Sequence, residues 1–290
     1  MRNEKEIYEL ILNVAKDDQR IMAVYMNGSR TNEHADKDIF QDYDIVYVVD
    51  ETESFIKDKE WLKHFGNVMY MQYPDENPNY RSDKSNMYGW LVQFDDGVRM
   101  DIHVETFIHA KNNILKDKLC RILLDKNHRL PEIKKATDEQ YWIKMPSQEQ
   151  YHACCNEFWW CSNNIAKGLW REEIPYVQDI TNYVVRKQLE KMLSWKVGVK
   201  TDFRVSVGKS AKYMYRWLTS EEYDRYLSTY FDSDICKAWK AIEVMCDLFE
   251  ETARWVSEQT GYRYNEKEAN AARKFLAHVR DLPKDAAEIY

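Results

Sequence analysis

The chain has 290 residues, of which 44% are hydrophobic and 14% aromatic, and its formal net charge is −7. This composition supports a large buried core and argues against intrinsic disorder. The negative charge argues against a protein that follows a nucleic-acid backbone, and it suits a small cationic substrate, which an acidic cleft concentrates.

The sequence carries no recognisable signal for a membrane or for an oxidising compartment. Residues 1–16 are charged throughout and lack the apolar core of a signal peptide. No run approaches the ~18 apolar residues of a membrane span. The six cysteines form no CxxC pair of the kind used by structural zinc sites. We therefore expect reduced thiols and a cytoplasmic protein with no membrane partner.

The first half of the chain alternates predicted helices and strands. Apolar residues at helical spacing predict helices over residues 6–15 and 54–65, the second one ended by Gly66. Runs of β-branched and aromatic residues predict strands. These strands cover residues 21–26, 43–49, 68–73, 88–94 and 98–104.

The last two predicted strands form a hairpin around Asp95-Asp96-Gly97, because Asp-Gly between two β-rich runs favours a tight turn. The second arm alternates in character, so one face is apolar and the other is polar. The polar face carries Arg99, Asp101 and His103.

After Pro146 the helical patterns dominate. Ser147 and Gln150 predict a capping box for a helix to about residue 172, and Pro175 predicts the start of a second helix that ends near residue 195. Further helices are predicted over residues 209–218, 220–230, 234–258 and 265–279. The sequence thus predicts an α+β chain with two domains. The first, residues 1–140, is a mixed sheet flanked by helices, and the second, residues 141–290, is helical.

The residues that indicate chemistry form an ordered set in the first domain. Gly28-Ser29 follows a strand, where backbone N–H groups and a hydroxyl can face phosphate oxygens. Asp42 and Asp44 open the next strand and point to the same face. Asp101 lies amid apolar residues on the hairpin strand. Alone, each motif is common: Asp101 could be an exposed edge-strand acid, and Asp42 and Asp44 could be capping acids. Together, they predict an oxygen-rich site suited to Mg²⁺ and phosphates.

This set resembles the motif positions of the polymerase-β-like nucleotidyltransferase superfamily. Over nearly the whole chain the sequence is similar to the aminoglycoside 6-adenylyltransferases, in particular to the Bacillus type that acts on streptomycin. The similarity is carried by residues 28–30 (GSR), 38–44 (DIFQDYD), 154–159 (CCNEFW), 194–198 (SWKVG) and 206–209 (SVGK).

The resemblance implies a mechanism that these residues can support. Asp42 and Asp44 would hold Mg²⁺ on the triphosphate of ATP, and Gly28, Ser29 and Arg30 would contact the nucleotide. A drug hydroxyl would attack the α-phosphorus and pyrophosphate would leave. Asp101 would either bind a second metal ion or accept the hydroxyl proton as general base. Both roles for Asp101 stay open at this point.

Further candidates lie in the helical half. Gly208-Lys209-Ser210 is not a Walker A loop, since residue 203 is Phe where that motif has Gly. Lys209 and Lys212 are either phosphate ligands or an ordinary exposed helix start. Glu157 and Asp179 are either surface acids or partners for the guanidinium groups of streptomycin. The histidines show no metal-ligand spacing.

The resemblance favours AMP transfer from ATP to the 6-hydroxyl of streptomycin, with both substrates meeting in a cleft between the domains. One alternative is an adenylyltransferase for another small hydroxylated compound, and a second is a non-catalytic, antitoxin-like module on the same fold. Three converging acids argue against the second alternative. We expect a monomer that does not bind nucleic acid.

Overall fold

The structure, a computed structural model, describes residues 2–290 and divides the chain into two compact units, Met1–Gln140 and Tyr141–Tyr290. The first unit contains a six-stranded sheet in the order β3-β4-β5-β2-β1-β6. Its strands are β1 (Ile21–Asn27), β2 (Tyr43–Val49), β3 (Val68–Gln72), β4 (Met87–Phe94), β5 (Arg99–Thr106) and β6 (Cys120–Asp125). The sheet is mixed, because β2 and β5 pair parallel while every other pair is antiparallel.

Helices cover both faces of this sheet. One face packs against α1 (Glu4–Asp17), which starts with a capping box: the Asn3 side chain accepts from the Glu6 N–H and the Glu6 carboxylate accepts from the Asn3 N–H. The other face packs against α3 (Phe107–Asn113). The alternating residues of β5 separate as predicted, with Met100, Ile102 and Val104 fully buried in the core on the α1 side.

The second unit is helical, and no strand occurs in the described residues after 140. Its helices are α4 (Gln148–Trp170), α5 (Ile174–Ile180), α6 (Arg186–Lys200), α7 (Ser220–Leu227), α8 (Ile235–Thr260) and α9 (Glu266–Asp281). The Ser147–Gln150 capping box is present at the start of α4. The rings of Phe158 and Phe249 stack at 3.7 Å in the core, which joins α4 to α8.

A π-helical turn over Thr181–Val185 joins α5 to α6, so the predicted second helix is one continuous helical segment that ends later than expected, at Lys200. The structure therefore confirms the α+β fold class. None of the helices in residues 2–290 combines the length and the apolar character needed to cross a bilayer.

Two predicted helices are wrong. Residues 54–65 form a short helix, α2 (Glu53–Lys57), and a separate 3₁₀ turn (Trp61–Phe65), because Asp58 is extended and its carboxylate accepts from the Glu60 N–H. Residues 209–218 form only two 3₁₀ turns. Ser210 and Ala211 have φ of 54° and 59°, values that no right-handed helix accommodates.

Candidate active site

Three carboxylates converge at one end of β2 and β5. Asp42 immediately precedes β2, Asp44 is its second residue, and Asp101 is the third residue of β5. Asp44 and Asp101 are direct neighbours across the parallel pair. One oxygen from each of the three side chains lies within 4.8 Å of the others. No other set of three His, Cys, Asp or Glu ligands in residues 2–290 comes this close together.

The Asp44 carboxylate shows the electrostatic cost of this arrangement. Burial, followed by the charges of Asp42 and Asp101, raises the pKa of Asp44 from its ordinary value to about 7. Hard oxygen donors in such a cluster suit a divalent cation, which would relieve the mutual repulsion of the carboxylates. The chemistry of the donor set therefore fits a divalent metal.

The turn after β1 is shaped around Asp44. Gly28 has φ of +77°, and a Cβ at this position would lie 2.0 Å from the Asp44 Oδ2 atom. Only glycine satisfies both conditions, since it tolerates positive φ and has no side chain. Ser29 then begins a single 3₁₀ turn, Ser29–Thr31, closed by the Thr31 N–H and hydroxyl donating to the Gly28 carbonyl. The segment after Gly28-Ser29 is therefore one turn and not a full helix.

The Arg30 guanidinium faces the protein. Its Nε donates to the Asp42 carbonyl at 2.9 Å, its Nη2 to the Gln41 carbonyl at 2.6 Å, and its Nη1 lies 3.3 Å from a Glu4 oxygen. It also stacks on the Tyr43 ring at 3.6 Å. These contacts fix the backbone that presents Asp42, so the nucleotide-binding role of Arg30 stays a prediction while its positioning role is visible.

Arg99 also lies at the site, although the sequence predicted only that it shares a strand face with Asp101. Its Nε and Nη2 donate to the two oxygens of Asp101 at 3.0 and 2.9 Å, and Nε lies 3.7 Å from Asp42. A signal was present, because Arg99 and Asp101 are two residues apart on the polar face of one strand.

Two more polar residues follow Asp101 along this face of β5. His103 packs on Gly89, where a Cβ would approach the imidazole Cδ2 atom to 2.4 Å. Burial lowers the pKa of His103, which favours the neutral ring. Glu105 is fully buried and accepts from the Tyr25 hydroxyl and from Asn113 at 2.5 Å, while His109 lies 2.5 Å away. Glu105 therefore belongs to the core that supports the site.

The four predicted site residues of the helical unit lie at its surface. Glu157 is exposed on α4, where it accepts from the Cys161 thiol at 3.6 Å, and Asp179 is exposed on α5. Lys209 and Lys212 are exposed in the loop of unusual φ. The Lys212 ammonium lies 4.9 Å from the centre of the Tyr213 ring. Left-handed non-glycine residues of this kind occur often at ligand-binding loops.

A mixed sheet that brings three carboxylates together beside a Gly-Ser turn defines the class of the protein as a nucleotidyltransferase. Comparison with known proteins gives the family. A family model described as "Streptomycin adenylyltransferase" matches residues 1–279, and the chain belongs to this family.

Its relatives include curated aminoglycoside 6-adenylyltransferases. The enzyme of Campylobacter jejuni is 36% identical over 264 residues, which are 91% of this chain and 91% of the relative. The enzyme of Bacillus subtilis is 35% identical over 265 residues, which are 91% of this chain and 93% of the relative. A crystal structure of an aminoglycoside 6-adenyltransferase from Bacillus subtilis, 30% identical, covers 97% of this chain and 100% of its own, with a TM-score of 0.49.

Proposed function

We propose that this protein transfers AMP from ATP to the 6-hydroxyl of streptomycin, releases pyrophosphate, and so confers resistance to the drug. One observation carries the proposal: in a chain whose family match covers residues 1–279, the carboxylates of Asp42, Asp44 and Asp101 lie within 4.8 Å of one another. A binding module on this fold has no need of three converging acids.

The proposed cofactor is Mg²⁺, held by Asp42, Asp44 and Asp101. A bound Mg²⁺ would neutralise the acids and polarise the phosphates of ATP. The carboxylate oxygens are the donors that Mg²⁺ prefers, and the raised pKa of Asp44 reflects a cluster of charge that a cation would stabilise. The absence of thiolate and imidazole ligands from the cluster favours Mg²⁺ over zinc.

The geometry of the first unit supports the roles proposed for its residues. Asp101 projects from a strand whose neighbouring residues, Met100 and Ile102, are fully buried, so the carboxylate is held rigidly. It acts on the attacking hydroxyl, either as the base that accepts its proton or as a ligand of a metal ion that acidifies it. The Gly28-Ser29 turn contacts the triphosphate through N–H groups and the Ser29 hydroxyl. Arg30 holds the Asp42 backbone by a hydrogen bond and also contacts the nucleotide.

In the helical unit, two acids are proposed to bind the drug and two lysines are proposed to bind ATP. Glu157 and Asp179 are exposed carboxylates, and each can form a bidentate pair with a guanidinium group of streptomycin. Lys209 and Lys212 are exposed cations in a loop of constrained backbone, and we assign them to the phosphates of ATP. The net charge of −7 suits a cationic substrate and disfavours nucleic acid.

Mass spectrometry tests this proposal directly. Streptomycin incubated with ATP, Mg²⁺ and the protein should gain the mass of one AMP unit, with an equal amount of pyrophosphate released. An Asp44→Asn variant provides the control and should give neither product. Fragmentation or NMR of the product would locate the modified hydroxyl.

A panel of other hydroxylated compounds separates the alternatives. Pyrophosphate released with another compound and not with streptomycin would overturn the choice of substrate and keep the reaction class. ATP that stays intact with every compound would favour a non-catalytic module.

A further inference from the structure

The Arg99 guanidinium occupies the oxygens that a cation at this site would use. It is the first residue of β5 and binds both oxygens of Asp101 in the two-pronged geometry of an arginine–carboxylate pair, at 3.0 and 2.9 Å. Its second acidic neighbour is Asp42 at 3.7 Å. A divalent cation and the guanidinium therefore compete for the same carboxylates.

Arg99 is the most exposed of the three arginines in this part of the surface. Its side chain is 47% exposed and lines a surface cavity of about 590 Å³. Arg2 and Arg30 line the same cavity, but Arg2 is fixed by Asp96 at 2.7 Å and Arg30 by the backbone of residues 41 and 42. Arg99 has no backbone carbonyl among its hydrogen-bond partners in the described chain.

We propose that Arg99 is a phosphate-binding residue that exchanges partners: it neutralises Asp101 and Asp42 before the cation binds, and it then contacts the triphosphate of the nucleotide. This inference rests on the proposed function and adds a specific ligand to it. A guanidinium matches phosphate oxygens as well as it matches a carboxylate, so the exchange replaces one strong pair with another.

The exchange has a thermodynamic consequence. Because Arg99 opposes the cation in the absence of nucleotide and attracts the phosphates in its presence, it couples the binding of the two ligands positively. Metal alone should bind weakly and metal with nucleotide should bind tightly. Removal of the guanidinium should therefore shift the two affinities in opposite directions.

The test measures both affinities in Arg99→Gln. We would titrate Mn²⁺ by electron paramagnetic resonance, first into the protein alone, and would then measure a non-hydrolysable ATP analogue by calorimetry at saturating Mn²⁺. We expect the dissociation constant of Mn²⁺ alone to fall by at least about fivefold and that of the analogue to rise by at least about fivefold.

Two further variants sharpen the result. Arg81→Gln removes an exposed arginine of the same unit that is not among the residues paired with the three acids, and it should match the wild type in both titrations. Arg99→Lys keeps the charge and loses the two-pronged geometry, so it should shift both constants in the same directions by smaller factors. It also carries the test if Arg99→Gln fails to fold, as judged by circular dichroism.

Any other pattern overturns the proposal. Tighter Mn²⁺ binding with unchanged nucleotide affinity would reduce Arg99 to a local counter-ion, and a parallel loss of both affinities would make it structural. Neither titration contains the drug. Failure of the proposed AMP transfer would instead appear as unmodified streptomycin with both wild-type affinities intact, so the two failures are distinguishable.

Discussion

At the level of single residues, the site depends on the absence of a side chain at Gly28 as much as on the three acids. The Asp44 carboxylate lies where a Cβ of residue 28 would be, and the φ of +77° at Gly28 adds a backbone requirement. Gly261 has nearly the same φ, +75°, but nothing lies within 4 Å of its Cβ position. A side chain at residue 28 would therefore cause both a steric clash and backbone strain, whereas a side chain at residue 261 would cause backbone strain alone.

We predict that Gly28→Ala lowers the affinity for Mn²⁺ by at least about tenfold, because the methyl group displaces the Asp44 carboxylate, which is a proposed metal ligand. Gly261→Ala should cost about 1–2 kcal/mol of unfolding free energy, as expected for left-handed backbone, and leave Mn²⁺ affinity unchanged. Electron paramagnetic resonance and thermal unfolding give the two quantities. Equal Mn²⁺ affinity in the two variants would contradict the steric argument.

The raised pKa of Asp44 predicts a pH dependence in the metal-free protein. The folded carboxyl keeps its proton up to about pH 7, whereas the unfolded carboxyl loses it near its ordinary pKa of 3.8. Stability from Asp44 is therefore fully present below pH 3.8 and is lost as the pH rises through about 7. Asparagine stays neutral throughout.

In EDTA, Asp44→Asn should therefore raise the unfolding midpoint at pH 8 by more than it does at pH 5. Mg²⁺ added at pH 8 should stabilise the wild type and leave the variant unchanged. Scanning calorimetry of both proteins at both pH values makes the comparison. A shift of the same size at pH 5 and pH 8 would contradict the assignment of charge repulsion to Asp44.

Asp101 is predicted to serve the hydroxyl more than the nucleotide. Asp101→Asn should retain binding of ATP and streptomycin and lose about 10²–10⁴-fold in the rate of AMP transfer, the usual value of general-base assistance. Single-turnover kinetics isolate the chemical step. An unchanged chemical step combined with weaker ATP binding would return Asp101 to a role in holding the nucleotide.

At the level of secondary-structure elements, the sequence predicted the strands, turns and helix starts that depend on neighbouring residues. The strands β1 and β2, the β4–β5 hairpin and the capped start of α4 follow from β-branched runs, an Asp-Gly turn and the Ser147–Gln150 pair. The segment 209–218 has helical periodicity but is not a helix, because its backbone is set by closure of the preceding loop. There the Tyr213 N–H donates to the Val207 carbonyl at 2.8 Å. A loop closure of this kind does not change the spacing of the apolar residues, so the sequence pattern does not reveal it.

On helices α4 and α5, the exposed acids provide a test of drug binding. Glu157→Gln and Asp179→Asn should each raise the KM for streptomycin, by about fivefold to tenfold for a lost charge-assisted pair, and leave the KM for ATP unchanged. Glu258→Gln, at an exposed acid on α8, should change neither value. Steady-state kinetics with each substrate varied would reveal the difference, and a rise for ATP would point to the wrong surface.

At the level of the whole molecule, the sequence predicted which residues form the site but not how they are arranged in space. The three acids were recognisable from their order along the chain. Their proximity comes from the parallel pairing of β2 with β5, and no local signal specifies which strands become neighbours. The sequence likewise predicted that Arg99 and Asp101 share a strand face, but it did not predict their hydrogen bonds. The rotamer of a long side chain is set by its surroundings.

The whole protein should require a divalent cation for AMP transfer. EDTA in excess should abolish product formation, Mg²⁺ or Mn²⁺ should restore it, and a zinc-selective chelator should have no effect, since the acids supply oxygen donors alone. Pyrophosphate release is the measurement. Full turnover in excess EDTA would contradict the proposed use of the acids.

Because Asp44 and Asp101 are neighbours only when β2 pairs with β5, formation of the site indicates when these two strands pair during folding. β2 and β5 are separated in sequence by β3 and β4, so their pairing is a non-local contact that requires a long loop to close. A refolding chain can form its helices and the β4–β5 hairpin before this pairing exists. In a stopped-flow experiment, the capacity to bind Mn²⁺ should therefore return after most of the circular dichroism signal, marking the moment at which the two halves of the sheet join.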